Sequence, residues 1–167
     1  MNLFRAAVCD GPARDETMHL TRYSDYSLRV LIFLGAKRDE LATIPEIAEA
    51  YGISRAHLMK VVQLLGQLGY VETLRGRNGG MRLGAPPEKI RLGQVLRQTE
   101  ESFALVDCFS SDAVSGAARG CAITPACKLR GMLAEALQAF LAVLDRYTLA
   151  DILEGRAAPL RRLLQLV

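Results

Sequence analysis

Two short helical patterns separated by a turn at Gly52, a serine that opens the second, and a hairpin pattern directly behind it predict a mainly α protein built on a winged helix-turn-helix domain. In this reading the hairpin is the β-hairpin wing, and a long amphipathic pattern near the C-terminus is a dimerisation helix.

Residues 1–17 carry Asp10, Gly11, Pro12, Arg14, Asp15 and Glu16 without periodicity, and a second methionine, Met18, precedes the first helix. This stretch reads as a disordered arm or an over-extended gene start, and Cys9 within it is discounted as a ligand. The first helix is expected from about Ser24 to Ala36. Ser24 is its N-cap, Asp25 its first-turn acid, and Tyr26, Val30, Phe33 and Leu34 share one face; Gly35 and the charged run Lys37-Arg38-Asp39-Glu40 end it. Thr43 with Glu46 three residues on is a capping box, and Pro45 sits in the first turn. That second helix carries Ile44, Ile47 and Ala48 and stops at Tyr51-Gly52. Ser54 caps the third, where Leu58, Val61, Val62, Leu65 and Leu68 recur at helical spacing until Gly69.

Tyr70 to Leu74 alternates like a strand, Arg75-Gly76-Arg77-Asn78-Gly79-Gly80 is a turn, and Met81-Arg82-Leu83 returns. Pro86-Pro87 breaks the chain before a short helix over Leu92 to Thr99. Cys108 to Ala126 reads as a loop. A long helix from about Lys128 to Tyr147 has the stripe Leu129, Leu133, Leu137, Phe140, Leu141 and Leu144. The tail adds Leu149, Ile152 and Leu153, then Leu160, Leu163 and Leu164.

The 167 residues are half hydrophobic and under a quarter charged, which excludes a disordered chain and fits one real core with an appendage. The net charge of +3 is too small to name a partner by itself. The most apolar run, Leu28 to Gly35, is far shorter than the roughly 20 residues of a membrane span and contains Arg29. No secretory signal is evident, so the expected location is the cytoplasm, where four cysteines are not a disulfide framework.

Charge is uneven where it matters. From Ser54 to Leu83 the only acid is Glu72, against Arg55, Lys60, Arg75, Arg77 and Arg82. These lie on the two elements that touch DNA in such folds. Ser54, Arg55, His57 and Lys60 are the candidates for the major groove, and Arg75 and Arg77 for a minor groove beside it. The competing reading is a set of ordinary solvated charges, and His57 is as well explained as a bland surface residue.

Cys108, Cys121 and Cys127 share one segment, with twelve residues in the first gap and five in the second. Zinc sites favour tighter pairs, whereas wide gaps suit an iron–sulfur cluster whose cysteines reach separate irons. Reduced surface thiols or a thiol switch remain the alternative. Three thiolates are one short of the usual four ligands, and neither His19 nor His57 is near the segment in sequence. Asp25 is the candidate for the fourth, from the partner subunit's first helix, with Asp107 and Glu101 as fallbacks. Asp25 reads equally well as a helix-start acid or an i,i+4 partner of Arg29.

Leu20-Thr21-Arg22-Tyr23-Ser24-Asp25-Tyr26, the Ser54 helix, the Arg75–Gly80 turn, Cys121-Ala122-Ile123-Thr124-Pro125-Ala126-Cys127-Lys128-Leu129 and Asp145-Arg146-Tyr147-Thr148-Leu149-Ala150-Asp151 together resemble the bacterial winged-helix iron–sulfur regulators. Among them the nitric-oxide-sensing repressors are the nearest in pattern, and the resemblance runs from about Met18 to Val167. It implies a homodimer paired through its long helices and one cluster per subunit. Cys108, Cys121 and Cys127 would be ligands, with Asp25 from the other protomer. Two departures stand out. The gap Phe109 to Gly120 is longer than in many relatives and is expected to loop out. Members of the IscR type have a histidine three residues after the last cysteine, where this chain has Arg130. That favours a 4Fe–4S over a 2Fe–2S cluster.

The expected organisation is thus an arm over 1–17, a winged helix-turn-helix over 18–90, a linker helix and cluster-binding loop over 91–127, and a dimerisation helix and tail over 128–167. The expected function is a repressor, not an enzyme, that binds an inverted-repeat DNA operator as a homodimer and answers nitric oxide through its cluster. An iron-availability regulator of the RirA type is the nearest alternative. A thiol redox enzyme lacks a Cys-x-x-Cys or Cys–His pairing here, and an adaptor with structural zinc is the remaining rival.

Overall fold

The computed structural model describes residues 19–38, 40–77, 79–109, 121 and 123–166, with the side chain of Asp107 excepted. The expectations for residues 1–17, Met18, Asn78 and most of the loop between Cys108 and Cys121 fall outside these residues.

Seven helices and one hairpin are seen among the described residues: α1 Arg22–Lys37, α2 Ile44–Tyr51, α3 Arg55–Gln67, β1 Val71–Leu74, β2 Gly80–Leu83, α4 Leu92–Thr99, α5 Lys128–Asp145, α6 Leu149–Leu153 and α7 Ala157–Leu163. Short 3-10 turns stand at Pro87–Lys89, Asp107–Phe109 and Thr124–Ala126. The mainly helical winged helix-turn-helix is therefore present.

Helix α1 is the central element. Val30, Leu31 and Phe33 are fully buried, and α1 packs against α3, α4, α6, α7 and β2. Its cap differs from the sequence expectation. The Thr21 hydroxyl, not Ser24, accepts the first-turn amide, that of Ser24. Ser24 is instead fully buried, and its hydroxyl shares a 2.7 Å hydrogen bond with Thr99 of α4. A hydroxyl committed across the core cannot also cap its own helix. Gly35 is likewise not a terminator. It lies within α1 where a Cβ would meet Leu153 Cδ1 at 2.5 Å, so the glycine admits α6 rather than ending α1.

The local punctuation of the helix-turn-helix follows the sequence. Thr43 and Glu46 form the reciprocal capping box of α2, and Gly52 ends it in the left-handed region at φ 64°. The same Glu46 carboxylate reaches back to Lys37 Nζ at 2.6 Å, joining the end of α1 to the start of α2. Ser54 caps α3 through the His57 amide, and Leu58, Val61, Val62 and Leu65 bury its inner face. The antiparallel wing pairs Val71 with Leu83 and Glu72 with Arg82, and an isolated antiparallel bridge joins Ala42 to β2 at Met81.

The long helix ends at Asp145, two residues before its expected end. Thr148 and Asp151 open α6 with a capping box of their own, and the Tyr147 carbonyl is taken by the Leu92 amide. The Asp145 carboxylate holds Arg97 of α4 by two hydrogen bonds, at 2.5 and 2.8 Å. Of the expected stripe only Leu141 is buried; Leu129 and Phe140 are exposed, as are Met132 and Val143. Leu149, Leu153 and Leu164 of the C-terminal segment are buried in the core around α1.

Two outcomes follow. At Gly80 a Cβ would stand 2.8 Å from the Ala42 carbonyl oxygen, so Gly80→Ala must prise β2 from Ala42. It is expected to cost about 1–3 kcal/mol in chemical denaturation and to expose the Met81 amide to hydrogen exchange. The hydrogen bond and charge of Arg97 hold the Asp145 carboxyl below its ordinary 3.8, and the Thr148 backbone and hydroxyl do the same for Asp151. For Glu46 burial pushes up, but bonds from Lys37 and Thr43 prevail and the net shift is down. A lowered carboxyl contributes stability above its ordinary value and loses it as pH falls through the lowered one. Denaturation midpoints should therefore be flat above about pH 5 and fall below about pH 4, less steeply in Arg97→Ala.

Candidate nucleic-acid interface and cysteine site

Helix α3 shows one face to the core and one to solvent. Ser54, Arg55, His57 and Lys60 are all exposed, as are Arg75 and Arg77 on the wing turn. Ser54 is occupied as the helix cap, accepting from the His57 amide at 3.3 Å. Arg82 pairs across the hairpin with Glu72 at 2.9 Å, so the only acid of this stretch is neutralised within the wing. Arg55, Lys60, Arg75 and Arg77 have no carboxylate partner among the described residues. The result is an acid-neutralised, cationic surface carried by a helix and a hairpin.

Sequence reasoning missed what aims α3. The Tyr23 hydroxyl donates to the Lys60 carbonyl at 3.0 Å, and the Tyr26 ring lies 6.2 Å from that of His57. Both tyrosines flank Asp25 in the first turn of α1. Tyr23 is 37 positions from Lys60, beyond the reach of any local signal. The face of α3 that continues the Lys60 position also includes Gln63, and Met59 stands beside it. Helical spacing alone would have found these two.

The cysteines are less complete. Cys121 is exposed, and Cys108 and Cys127 are partly buried; all three are free thiols. Cys108 sits in the 3-10 turn Asp107–Phe109, and Cys127 is the residue from which α5 starts. Phe103, Phe109, Cys127, Arg130 and Leu137 line one open cleft between the segment after α4 and the first half of α5. Among the described residues no three His, Cys, Asp or Glu side chains gather as a metal site. The donor set nevertheless fits a soft, anionic metal cluster. It consists of accessible thiols, one at a helix start with no side-chain cap, where open backbone amides favour negative charge. Asp25 pairs with Arg29 at 2.9 Å, as the i,i+4 spacing anticipates; Arg29 also lies over the Tyr51 ring. Of the fallback ligands, Glu101 is exposed.

A winged helix-turn-helix with a cationic reading face defines the class of the helix-turn-helix transcriptional regulators. Residues 20–155 match the family described as Rrf2, iron-dependent transcriptional regulator, and the chain belongs to that family. It is a transcriptional regulator and not an enzyme. It is 56% identical over 140 residues to the HTH-type transcriptional regulator NsrR of Bacillus subtilis, covering 83% of this chain and 92% of that one. Its identity to the NsrR of Geobacillus kaustophilus is 56% over 149 residues, 89% and 97% of the two chains. Among solved structures the fold is similar to CymR, the global cysteine regulator of B. subtilis, with a TM-score of 0.63 at 24% identity over 83% of this chain and 98% of that one. It is similar also to IscR of T. potens, with a TM-score of 0.61 at 24% identity over 83% and 88%. No helix of the described residues is long and apolar enough to cross a membrane.

The side chains of Asp25 and Arg29 are 41% and 43% exposed, so their pair is worth little in water. Asp25→Ala is expected to cost the metal-free protein no more than about 0.5 kcal/mol in urea denaturation. A larger loss would mean that Asp25 holds the fold.

Proposed function

We propose that this regulator is a cytoplasmic repressor of nitrosative-stress genes that binds an inverted-repeat operator as a homodimer and senses nitric oxide through an iron–sulfur cluster. The observation that carries this reading is the similarity to regulators named NsrR along nearly their whole length, in a chain with three cysteines in one segment. Cys108, Cys121 and Cys127 would hold the cluster, of 4Fe–4S type, one per subunit. The partner subunit's Asp25 would supply the fourth bond. Bound there, the cluster supplies iron able to react with nitric oxide.

The chain's own residues account for the rest. The exposed Leu129, Met132, Phe140 and Val143 give α5 an apolar surface suited to pairing with its copy. Ser54, Arg55, His57, Lys60, Arg75 and Arg77 would face DNA, the helix residues in the major groove and the wing arginines in a flanking minor groove. Asp25 has two competing partners, Arg29 in its own helix or a metal across the dimer. Whichever it takes acts on the first turn of α1, where Tyr23 and Tyr26 touch α3. A change of partner thus biases the angle of the reading helix, a two-state element with different DNA affinity in each state.

Anaerobically purified protein should have about four iron and four sulfide per protomer, and Cys121→Ala should lose both. In a fluorescence titration with its upstream DNA, nitric oxide should weaken binding at least about tenfold. Asp25→Ala should bind DNA with a diminished response to the gas. Lys60→Ala and Arg77→Ala should each weaken binding to all sequences and lower the salt slope by about one. Metal-free protein that grips the DNA equally with and without nitric oxide would overturn the reading. Loss of binding on iron chelation alone, with no response to the gas, would favour an iron-supply sensor, the role the family description suggests.

A further inference from the structure

The solvent face of α3 is not uniformly charged. Leu58, Val61, Val62 and Leu65 fix the inner face, which leaves Ala56, Lys60, Gln63 and Gln67 as the outward stripe at i, i+4, i+7 and i+11. Met59 adjoins that stripe, one turn before Gln63 and one turn after Ala56, and is 60% exposed. The Tyr23 hydroxyl on the Lys60 carbonyl holds this part of the helix from behind, so the stripe cannot roll into the core. Arg55 and Lys60 on α3 and Arg75 and Arg77 on the wing turn are exposed and have no carboxylate partner among the described residues, and a cationic surface that also carries one apolar and one amide side chain fits the base edges of a DNA groove between two phosphate strands.

The two residues speak to the same base pair type. A thioether has no donor and only a weak acceptor, so it gains chiefly by apolar contact, which in the major groove means the thymine methyl group. A glutamine amide donates and accepts at once, and matches the N7 and N6 edge of adenine. His57 turns toward Tyr26 on the far side of the helix, and Arg55, one turn before Met59, is an exposed cation at the helix start, placed as a phosphate anchor. We infer that Met59 and Gln63 are the sequence-reading residues of this regulator, and that they select adjacent A·T pairs within each half-site. Lys60 and the arginines then position the protein on phosphate without setting the sequence. This inference rests on α3 being the DNA-reading helix and goes beyond it by separating reading residues from anchoring ones.

The test begins by selecting binding sites for the anaerobically purified full chain from random double-stranded DNA. Each half-site should contain adjacent A·T pairs, whose thymines are then replaced one at a time by deoxyuridine, which removes only the methyl group. One replacement should weaken the wild type about fourfold, the worth of one buried methyl group, and should have no effect on Met59→Ala. Gln63→Ala should lose about tenfold or more of its preference for adenine at one position while its affinity for mismatched DNA is unchanged. Thermal melting of both variants should match the wild type, since both side chains are on the solvent face. If Lys60→Ala weakens binding but Met59→Ala and Gln63→Ala keep the wild-type base preferences, this inference fails and the interface stands. If none of the three variants alters DNA binding, α3 is not the reading helix and both fail.

Discussion

The burial of α1 is the constraint on which the molecule depends. A helix normally turns one stripe to the core and the opposite one to water. Here α3, β2, α4, α6 and α7 all lie against the same sixteen residues, and Leu31 and Phe33 are fully buried. The recognition helix and β2 of the wing therefore share one helix as their wall with α4, against which α5 packs in turn. Close-packed interiors do not deform continuously, so a shift of α1 must be felt by every element against it.

Polar groups fix the two ends of that helix. At the N-terminus the Thr21 amide donates to the Glu100 carboxylate at 2.9 Å and the Ser24 and Thr99 hydroxyls meet in the core, binding α1 to the end of α4. At the C-terminus Lys37 is buried against Glu46, which also closes the capping box of α2. Burial of a lysine is tolerable only with such a partner. Asp25 lies between these anchors in a half-exposed pair, so it is the part of the first turn that can change partners at small cost.

What the sequence revealed depended on range. The capping boxes at Thr43 and Thr148, the serine cap at Ser54 and the ion pair of Asp25 with Arg29 are written within four residues, where spacing is decisive. The hairpin followed from alternation around glycines. The error at Ser24 came from a partner 75 positions away, and that at Gly35 from a leucine in α6. Neither leaves a local trace. The cysteines were visible as a composition, because thiols in one segment stand out. Their placement in space is not, since it depends on tertiary contacts and not on spacing along the chain.

The contact between α7 and α1 bears on how such a chain comes into being. The Arg161 guanidinium donates to the Ala36 carbonyl at 3.3 Å, across 125 positions, and the same side chain reaches the Leu166 carbonyl and Glu40. Leu149, Leu153 and Leu164 of the same segment join the core, and Leu153 lies against Gly35. An emerging polypeptide would have made every other part of the helix-turn-helix long before this seal was available. The first helix must wait, with apolar surface open to water, until the segment that carries Leu149 to Leu166 has been made. Until then the nascent chain shows apolar surface of the kind that a holdase binds.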